Sequence, residues 1–337
     1  IMHSFWAPEI HEINGNLTVL FMAGYGNQWS NGKAVYMQLK KDANGYDLDP
    51  TDPANWTTPT TIYRPDGAAL ATTASGGVGM SLDMTYFQDA DGQSYYAWQQ
   101  LGATYIARMD PSNPARTTSY PVRIVAPEYA WNVTIAEGPN VTMRDGKLYL
   151  MFSGSAVGVT YTTGLAVADA SGSDLTDPAS WTVLNYPIQK SGPFNGAMQL
   201  GTGHGMWSED EDGNQIYVFH AYADQHLGGT NATGRDMFVR RVHWASDGYP
   251  VFDMSLDEEL DPNTVVSLTV RVGQVSDPSD PADPSDPSDT DQPSDTHADK
   301  PGNSVAATGS AIVAVVGAVV VLLAAGISLV MWRKRRG

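Results

Sequence analysis

The sequence predicts an all-β protein built as a β-propeller. Three observations predict it. Aromatic residues make up 10% of the chain and fall in short runs rich in Tyr, Val, Phe and Trp. The runs are punctuated by 33 Gly and 21 Pro, a composition of strands and turns rather than helices. One hairpin signal then recurs along the chain at intervals that suit a four-stranded blade.

That signal is an acidic residue or Asn directly before Gly, followed by an apolar, aromatic-rich run. It occurs as Asn14-Gly15 before Leu17 to Met22 and as Asp91-Gly92 before Tyr95 to Trp98. It returns as Asp145-Gly146 before Leu148 to Phe152 and as Asp212-Gly213 before Ile216 to Tyr222. Asn-Gly and Asp-Gly tolerate the positive φ of tight hairpin turns. The four signals stand about 54 to 77 residues apart, which gives four blades. A second element repeats as well: Asp52-Pro53-Ala54-Asn55-Trp56 and Asp177-Pro178-Ala179-Ser180-Trp181 each follow a strand-like run.

With 337 residues, the chain is long enough to bury a sizeable core. Its formal charge of -18 excludes nucleic acid as a partner, because a phosphate backbone is bound by clustered Lys and Arg. The absence of Cys removes thiol catalysis, disulfides and thiolate metal sites together. His3, His11, His220, His226 and His243 show no metal-ligand spacing, which argues against a metalloenzyme.

The last fifth divides sharply by composition. Residues 273–304 repeat Asp-Pro-Ser and Asp-Pro-Ala, too polar and Pro-rich to bury a core, and are predicted to form an extended, unfolded stalk. Ala311 to Trp332 is almost wholly apolar, about 20 residues, matching a bilayer core of roughly 30 Å. Arg333, Lys334, Arg335 and Arg336 follow, so the expected topology keeps them in the cytoplasm and everything upstream outside. Val305-Ala306-Ala307-Thr308-Gly309 resembles the Leu-Pro-x-Thr-Gly signal cut by sortases, with Val-Ala in place of Leu-Pro. The expected organisation is a propeller over 1–272, a stalk over 273–304, and over 305–337 a sortase-like signal, transmembrane helix and basic tail. This places the protein on the extracellular face of a Gram-positive cell, bound to membrane or peptidoglycan. The opening Ile1-Met2-His3 lacks the basic start and apolar run of a signal peptide, so the natural N-terminus is expected upstream.

Five blocks, in order, carry a family likeness over roughly residues 1 to 270. Ser4-Phe5-Trp6-Ala7-Pro8-Glu9-Ile10-His11 resembles the Trp-Ala-Pro-Glu block that opens the second blade of glycoside hydrolase family 43. Ser81 to Phe87 with Asp89 to Gly92 resembles its third-blade block, and Ala136 to Asn140 with Arg144 to Tyr149 resembles the block bearing its catalytic acid. Gly201-Thr202-Gly203-His204-Gly205 resembles its Gly-x-Gly-His segment, and Arg235-Asp236-Met237 with Trp244 to Pro250 its closing strand.

The resemblance implies a five-bladed β-propeller, here with the first blade largely missing, and an inverting glycosidase with three acids at its axial funnel. In such a reaction one carboxylic acid protonates the departing oxygen while a carboxylate roughly 6.5 to 9.5 Å away activates water on the opposite face of the sugar. By position Glu137 is the general acid and Asp83 the carboxylate that orients it and adjusts its pKa. His204 lies near the axis, where family members hold a calcium ion and its waters. No cofactor is required, and calcium near His204 would be structural. Arg235 is the cation that holds catalytic or substrate oxygens, a task suited to its planar donors. Trp6 is a candidate floor for the sugar, with core packing as the alternative. The general base of this family stands upstream of the Trp-Ala-Pro-Glu block, so this stretch of chain is expected to lack it.

The implied substrates are arabinan and arabinoxylan, with α-L-arabinofuranosidase action first. β-Xylosidase, arabinanase or galactanase action and non-catalytic glycan binding are the alternatives, since fold alone does not fix function.

Overall fold

The computed structural model describes residues 2–26, 28–73, 77–222, 234–256 and 258–259. The expected stalk, sortase-like signal and transmembrane segment lie outside the described residues. Among the described residues, no helix is long and apolar enough to cross a membrane. Ile1–Val265 falls in one compact unit; the expected bound at 272 lies outside the described residues.

Four four-stranded antiparallel sheets follow one another along the chain. The first holds β1 (Met2–Ile13), β2 (Asn16–Tyr25), β3 (Gln28–Gln38) and β4 (Thr60–Thr61). The second holds β5 (Ser81–Gln88), β6 (Ser94–Gln100), β7 (Ala103–Met109) and β8 (Val122–Val125). In the third are β9 (Ala136–Arg144), β10 (Lys147–Gly154), β11 (Thr162–Asp169) and β12 (Thr182–Val183). The fourth has β13 (Gly192–Phe194), β14 (Ala197–Glu209), β15 (Gln215–Tyr222) and β16 (Asp236–Arg241). A short pair, β17 (His243–Trp244) and β18 (Pro250–Val251), comes last. The all-β class holds, and four blades are present; a fifth is not among the described residues.

Each predicted Gly turn closes a hairpin. Asn14-Gly15 and Asp145-Gly146 take positive φ at both residues, the type I′ geometry that matches strand twist. The other two hairpins use a longer turn with only Gly92 or Gly213 at positive φ. There a carboxylate closes the loop: Asp89 accepts from the N–H groups of Asp91 and Gln93, and Asp210 from those of Asp212 and Asn214. The repeated Asp-Pro-Ala-x-Trp segments are single 3₁₀ turns, Pro53–Asn55 and Pro178–Ser180, before the outer strands of the first and third sheets. In both, the Asp accepts from the Ala N–H and the Trp indole donates to a carbonyl six residues back.

The core lies between the sheets. Ile13, Leu20 and Ala34 of the first blade meet Met84, Tyr96 and Trp98 of the second. Phe87, Tyr95 and Ile106 of the second meet Leu148, Leu150 and Phe152 of the third. Met151 meets Tyr217 and Phe219 between third and fourth. Both faces of β6 are covered, which explains its unbroken apolar and aromatic run.

The strands β1, β5, β9 and β14 pack successively, β1 against β5, β5 against β9 and β9 against β14. These are the axial strands, and every one is bulged. On β14 the Gly-x-Gly-x-Gly pattern is steric. A Cβ on Gly203 would enter the Tyr161 ring and one on Gly205 the Tyr217 ring, while Gly201 sits at φ +65 against the Gly158 carbonyl. Tyr217 cannot retreat, because it is fully buried, donates to Gln189 at 2.9 Å and is bonded to Thr163 at 2.6 Å. Gly205→Ala is therefore expected to destabilise the fold by about 1–3 kcal/mol, the usual cost of overpacking a core. Urea unfolding of the two proteins measures this difference; equal midpoints would show that Tyr217 yields freely.

Candidate active site

The bulges decide where the axial side chains point. A regular strand alternates its side chains between faces, and an inserted residue re-aims its neighbours. Asp83 is the re-aimed residue of β5, at φ +57 within the register shift between Leu82 and Thr85. On β9 the shift opposite Met151 and Ser153 contains Gly138 at φ +59, directly after Glu137. On β14 His204 sits at φ +50 between Gly203 and Met206. On β1 Ala7 is at φ +47, between Trp6 and Glu9. Left-handed backbone is strained for non-Gly residues, less so for Asp and His than for most, and such strain gathers at functional sites.

The re-aimed groups meet. Asp83 Oδ2 accepts from the Gly138 N–H at 3.0 Å, joining the bulge of β5 to that of β9. Its Oδ1 lies 3.8 Å from His204 Nε2. The His204 ring lies flat against Gly138, where any Cβ would crowd it, and the His204 N–H donates to the buried Ser153 Oγ at 2.5 Å. Glu137 Oε1 accepts from the Tyr161 hydroxyl at 2.6 Å. Tyr161 stacks on His220, ring centres 5.7 Å apart, and Arg235 Nη1 donates to His220 Nε2 at 2.5 Å.

Asp83 is 2% exposed and Glu137 7%. Burial pushes Asp83 up to about 7; the Gly138 N–H pulls against it, and the charge of Glu9 adds to the rise. Glu137 also rises to about 7, first through burial and then through the charge of Asp83. His204, Tyr161 and Arg235 oppose that rise. Burial depresses His204, and burial with the Arg235 charge takes His220 down to about 3, so both rings are neutral at neutral pH. The cluster is a pair of carboxyl groups holding one or two protons near neutrality beside unprotonated imidazoles. It can give a proton to a bound molecule and take it back.

The predicted residues separate into two groups. Asp83, Glu137 and His204 come together, and Arg235 joins them through His220 and Tyr161. Trp6 is 42% exposed and lines a different hollow, with Phe5, Phe21 and Met37 of the first sheet. Tyr161, His220, Ser153 and Glu9 join the site without having been predicted for it. Tyr161 and Ser153 carry no motif, and His220 lacks the metal-ligand spacing that would single it out. Glu9 stands in the first family block; its carboxylate accepts from His11 at 2.7 Å and lies 3.4 Å from Asn140 Nδ2. Among the described residues, no three His, Asp or Glu stand close enough together to hold a metal ion.

Comparison with known proteins places the chain in a family. The family profile described as "Glycosyl hydrolases family 43" matches residues 1–250. An extracellular exo-α-(1→5)-L-arabinofuranosidase of Streptomyces avermitilis is 31% identical over 270 residues, covering 76% of this chain and 51% of that protein. α-L-Arabinofuranosidase 43 of Humicola insolens is 29% identical over 267 residues, 75% of this chain and 50% of that one. The chain thus spans about half the length of these curated relatives. A crystal structure of an α-L-arabinofuranosidase from Lactobacillus brevis superposes with a TM-score of 0.61 at 27% identity, covering 74% of this chain and 75% of that one.

Asp83 and Glu137 both bind protons more tightly folded than unfolded, so their burial costs stability progressively as pH rises from about 4 to about 7. His220 works oppositely, withdrawing stability as pH falls below about 6.5. Asp83→Asn keeps an acceptor for the Gly138 N–H, suits left-handed backbone and removes the buried charge. It is expected to stabilise the fold by on the order of 2 kcal/mol at pH 8 and by little at pH 4. Thermal melts at the two pH values read this, and a gain independent of pH would rule out buried charge as the cause.

Proposed function

From the premise that the chain belongs to glycosyl hydrolase family 43, we propose that the protein cleaves O-glycosidic bonds in plant cell-wall polysaccharides. On this reading it is an inverting α-L-arabinofuranosidase acting on arabinan or arabinoxylan. One observation carries the reading: Glu137 is a buried carboxylic acid whose pKa is lifted to about 7 beside a second buried carboxylate, on the axial strands of a propeller. The curated relatives and the Lactobacillus brevis protein, each an arabinofuranosidase by name, support the choice of sugar.

Glu137, which keeps its proton up to about pH 7, gives it to the glycosidic oxygen as the bond from that oxygen to the sugar carbon breaks. The bonding pair leaves with the oxygen, and a water, deprotonated by a base, attacks the opposite face of the sugar. Burial holds the proton on Glu137, and the charge of Asp83, itself held by the Gly138 N–H, adds to that effect. Among the described residues no base is assigned, because Asp83 is committed to Gly138, and Glu9 to His11 and Asn140. Arg235, His204 and His220 line a hollow of about 350 Å³ on the fourth blade, where on this reading the sugar would bind. Trp6 is a further sugar platform only if the substrate extends over the first blade.

The Streptomyces avermitilis relative is extracellular by name, and the apolar segment with its basic tail suits attachment to the outer face of a Gram-positive membrane or wall. A fifth blade and a structural calcium ion near His204 belong to the same reading, and no cofactor takes part in the chemistry.

The full-length protein is expected to release arabinose from arabinan or arabinoxylan. Glu137→Gln should lower kcat by at least about 100-fold, the scale of general acid–base help. An undiminished rate overturns the hydrolase reading, and glycan binding without any hydrolysis by the parent protein turns it into a glycan-binding propeller. Activity should also fall as pH rises through about 7, where Glu137 loses its proton. In Asp83→Asn that decline should start at lower pH, because the charge that raises the Glu137 pKa is gone. An unmoved limb would exclude Asp83 as the modulator.

A further inference from the structure

The general acid has two oxygens, and only one can carry the proton toward the sugar. The structure distinguishes them. Glu137 Oε1 accepts a hydrogen bond of 2.6 Å from the Tyr161 hydroxyl. Tyr161 is fully buried, and burial together with the Glu137 and Asp83 charges holds its pKa well above the ordinary value. The phenol is thus a donor at every pH the fold survives.

We infer that Tyr161 is a positioning residue which, by occupying Oε1, confines the acidic proton of Glu137 to Oε2; the inference rests on Glu137 being the general acid. An oxygen that accepts so short a bond is a poor place for a second hydrogen. The proton therefore resides on Oε2, the oxygen free to face substrate. When Oε2–H is transferred to the glycosidic oxygen, the carboxylate left behind spreads its charge over both oxygens. The Tyr161 bond then becomes charge-assisted and strengthens as the transfer proceeds. An interaction that grows along the reaction lowers the barrier without tightening substrate binding.

The surroundings fix Tyr161 in place. Gly203 leaves room for its ring, where any Cβ would collide. His220 lies parallel to it at an interplanar angle of 5°, and Arg235 holds His220 by its Nε2. Arg235 therefore reaches the acid through two packed rings, which gives it a part in the site even without touching the sugar. Besides Tyr161, the charged or titratable groups that bear on Glu137 are Asp83 from β5, His204 from β14 and Arg235.

Tyr161→Phe tests this in the full-length protein, with kcat and KM measured across pH on two substrates. An arabino-oligosaccharide has a poor leaving group that needs its proton; a 4-nitrophenyl arabinofuranoside has a good one that hardly does. The expected result is a loss of about 10- to 100-fold in kcat on the oligosaccharide with KM little changed. The nitrophenyl substrate should lose much less, and the decline at high pH should move upward, since a bond that stabilised the carboxylate is missing. Equal losses on both substrates, or no loss on either, overturn the inference. Should the Tyr161→Phe protein not fold, 3-fluorotyrosine in place of Tyr161 keeps the shape while strengthening the donor, and the pH limb should then move downward; an unmoved limb overturns it. Glu137→Gln, measured alongside, separates the failures. If it too is fully active, the hydrolase reading itself is wrong. If it is inactive while Tyr161→Phe is normal, only the part given to Tyr161 falls.

Discussion

The site depends on one hydrogen bond, from the Gly138 N–H to the Asp83 carboxylate. It ties together two left-handed bulges on neighbouring blades, neither of which is favourable alone. Without the bulge in β5 the Asp83 side chain would keep to the alternation of its strand; without Gly138 at positive φ the N–H would not be presented and the His204 ring would have no flat surface to lie on. A carboxylate buried to this depth is unfavourable unless it is hydrogen-bonded. The bond satisfies the charge and at the same time sets the spacing of the two acids. Burial raises the Glu137 pKa first, and the charge of Asp83 at that spacing adds to the rise.

Around the pair, the protein keeps charge scarce and donors fixed. The imidazoles of His204 and His220 stay neutral, the phenols of Tyr161 and Tyr217 are buried beyond any ionisation, and the Arg235 cation stands behind a ring. Low polarity strengthens the remaining interactions, so the repulsion between Asp83 and Glu137 is felt as a retained proton. The glycines of β14 serve the same end. They are the reason Tyr161 and Tyr217 can lie against the strand that carries His204, and so the reason a hydroxyl reaches Glu137 at all.

The blades are largely legible in the sequence. Asn-Gly and Asp-Gly mark hairpins through backbone preference, a local property, and all four fall at the hairpins of the blades. The Asp-Pro-Ala-x-Trp repeat is legible for a similar reason: an Asp cap and an indole bond span only a few residues. The site is legible where residues sit in recognisable blocks, as Asp83, Glu137, His204 and Arg235 do. It is not legible at Tyr161 and His220, whose importance comes from contacts made in space: Tyr161 is 24 positions from Glu137, and His220 is 15 from Arg235. Trp6 shows the limit of reading a block residue by residue, because the bulge after it sends Glu9 and Trp6 to different surroundings.

The aspartates that close turns at the rim give the chain's acidity a structural origin. Asp42, Asp66 and Asp210 accept backbone N–H groups at loop tips and hold their protons less readily for it, whereas the axial carboxyls hold theirs more readily. Acid therefore weakens this molecule both at its loops and at the buried His220, and alkali weakens it by charging its central carboxyls. Surroundings more acidic than about pH 7 are the condition that keeps its central acid armed.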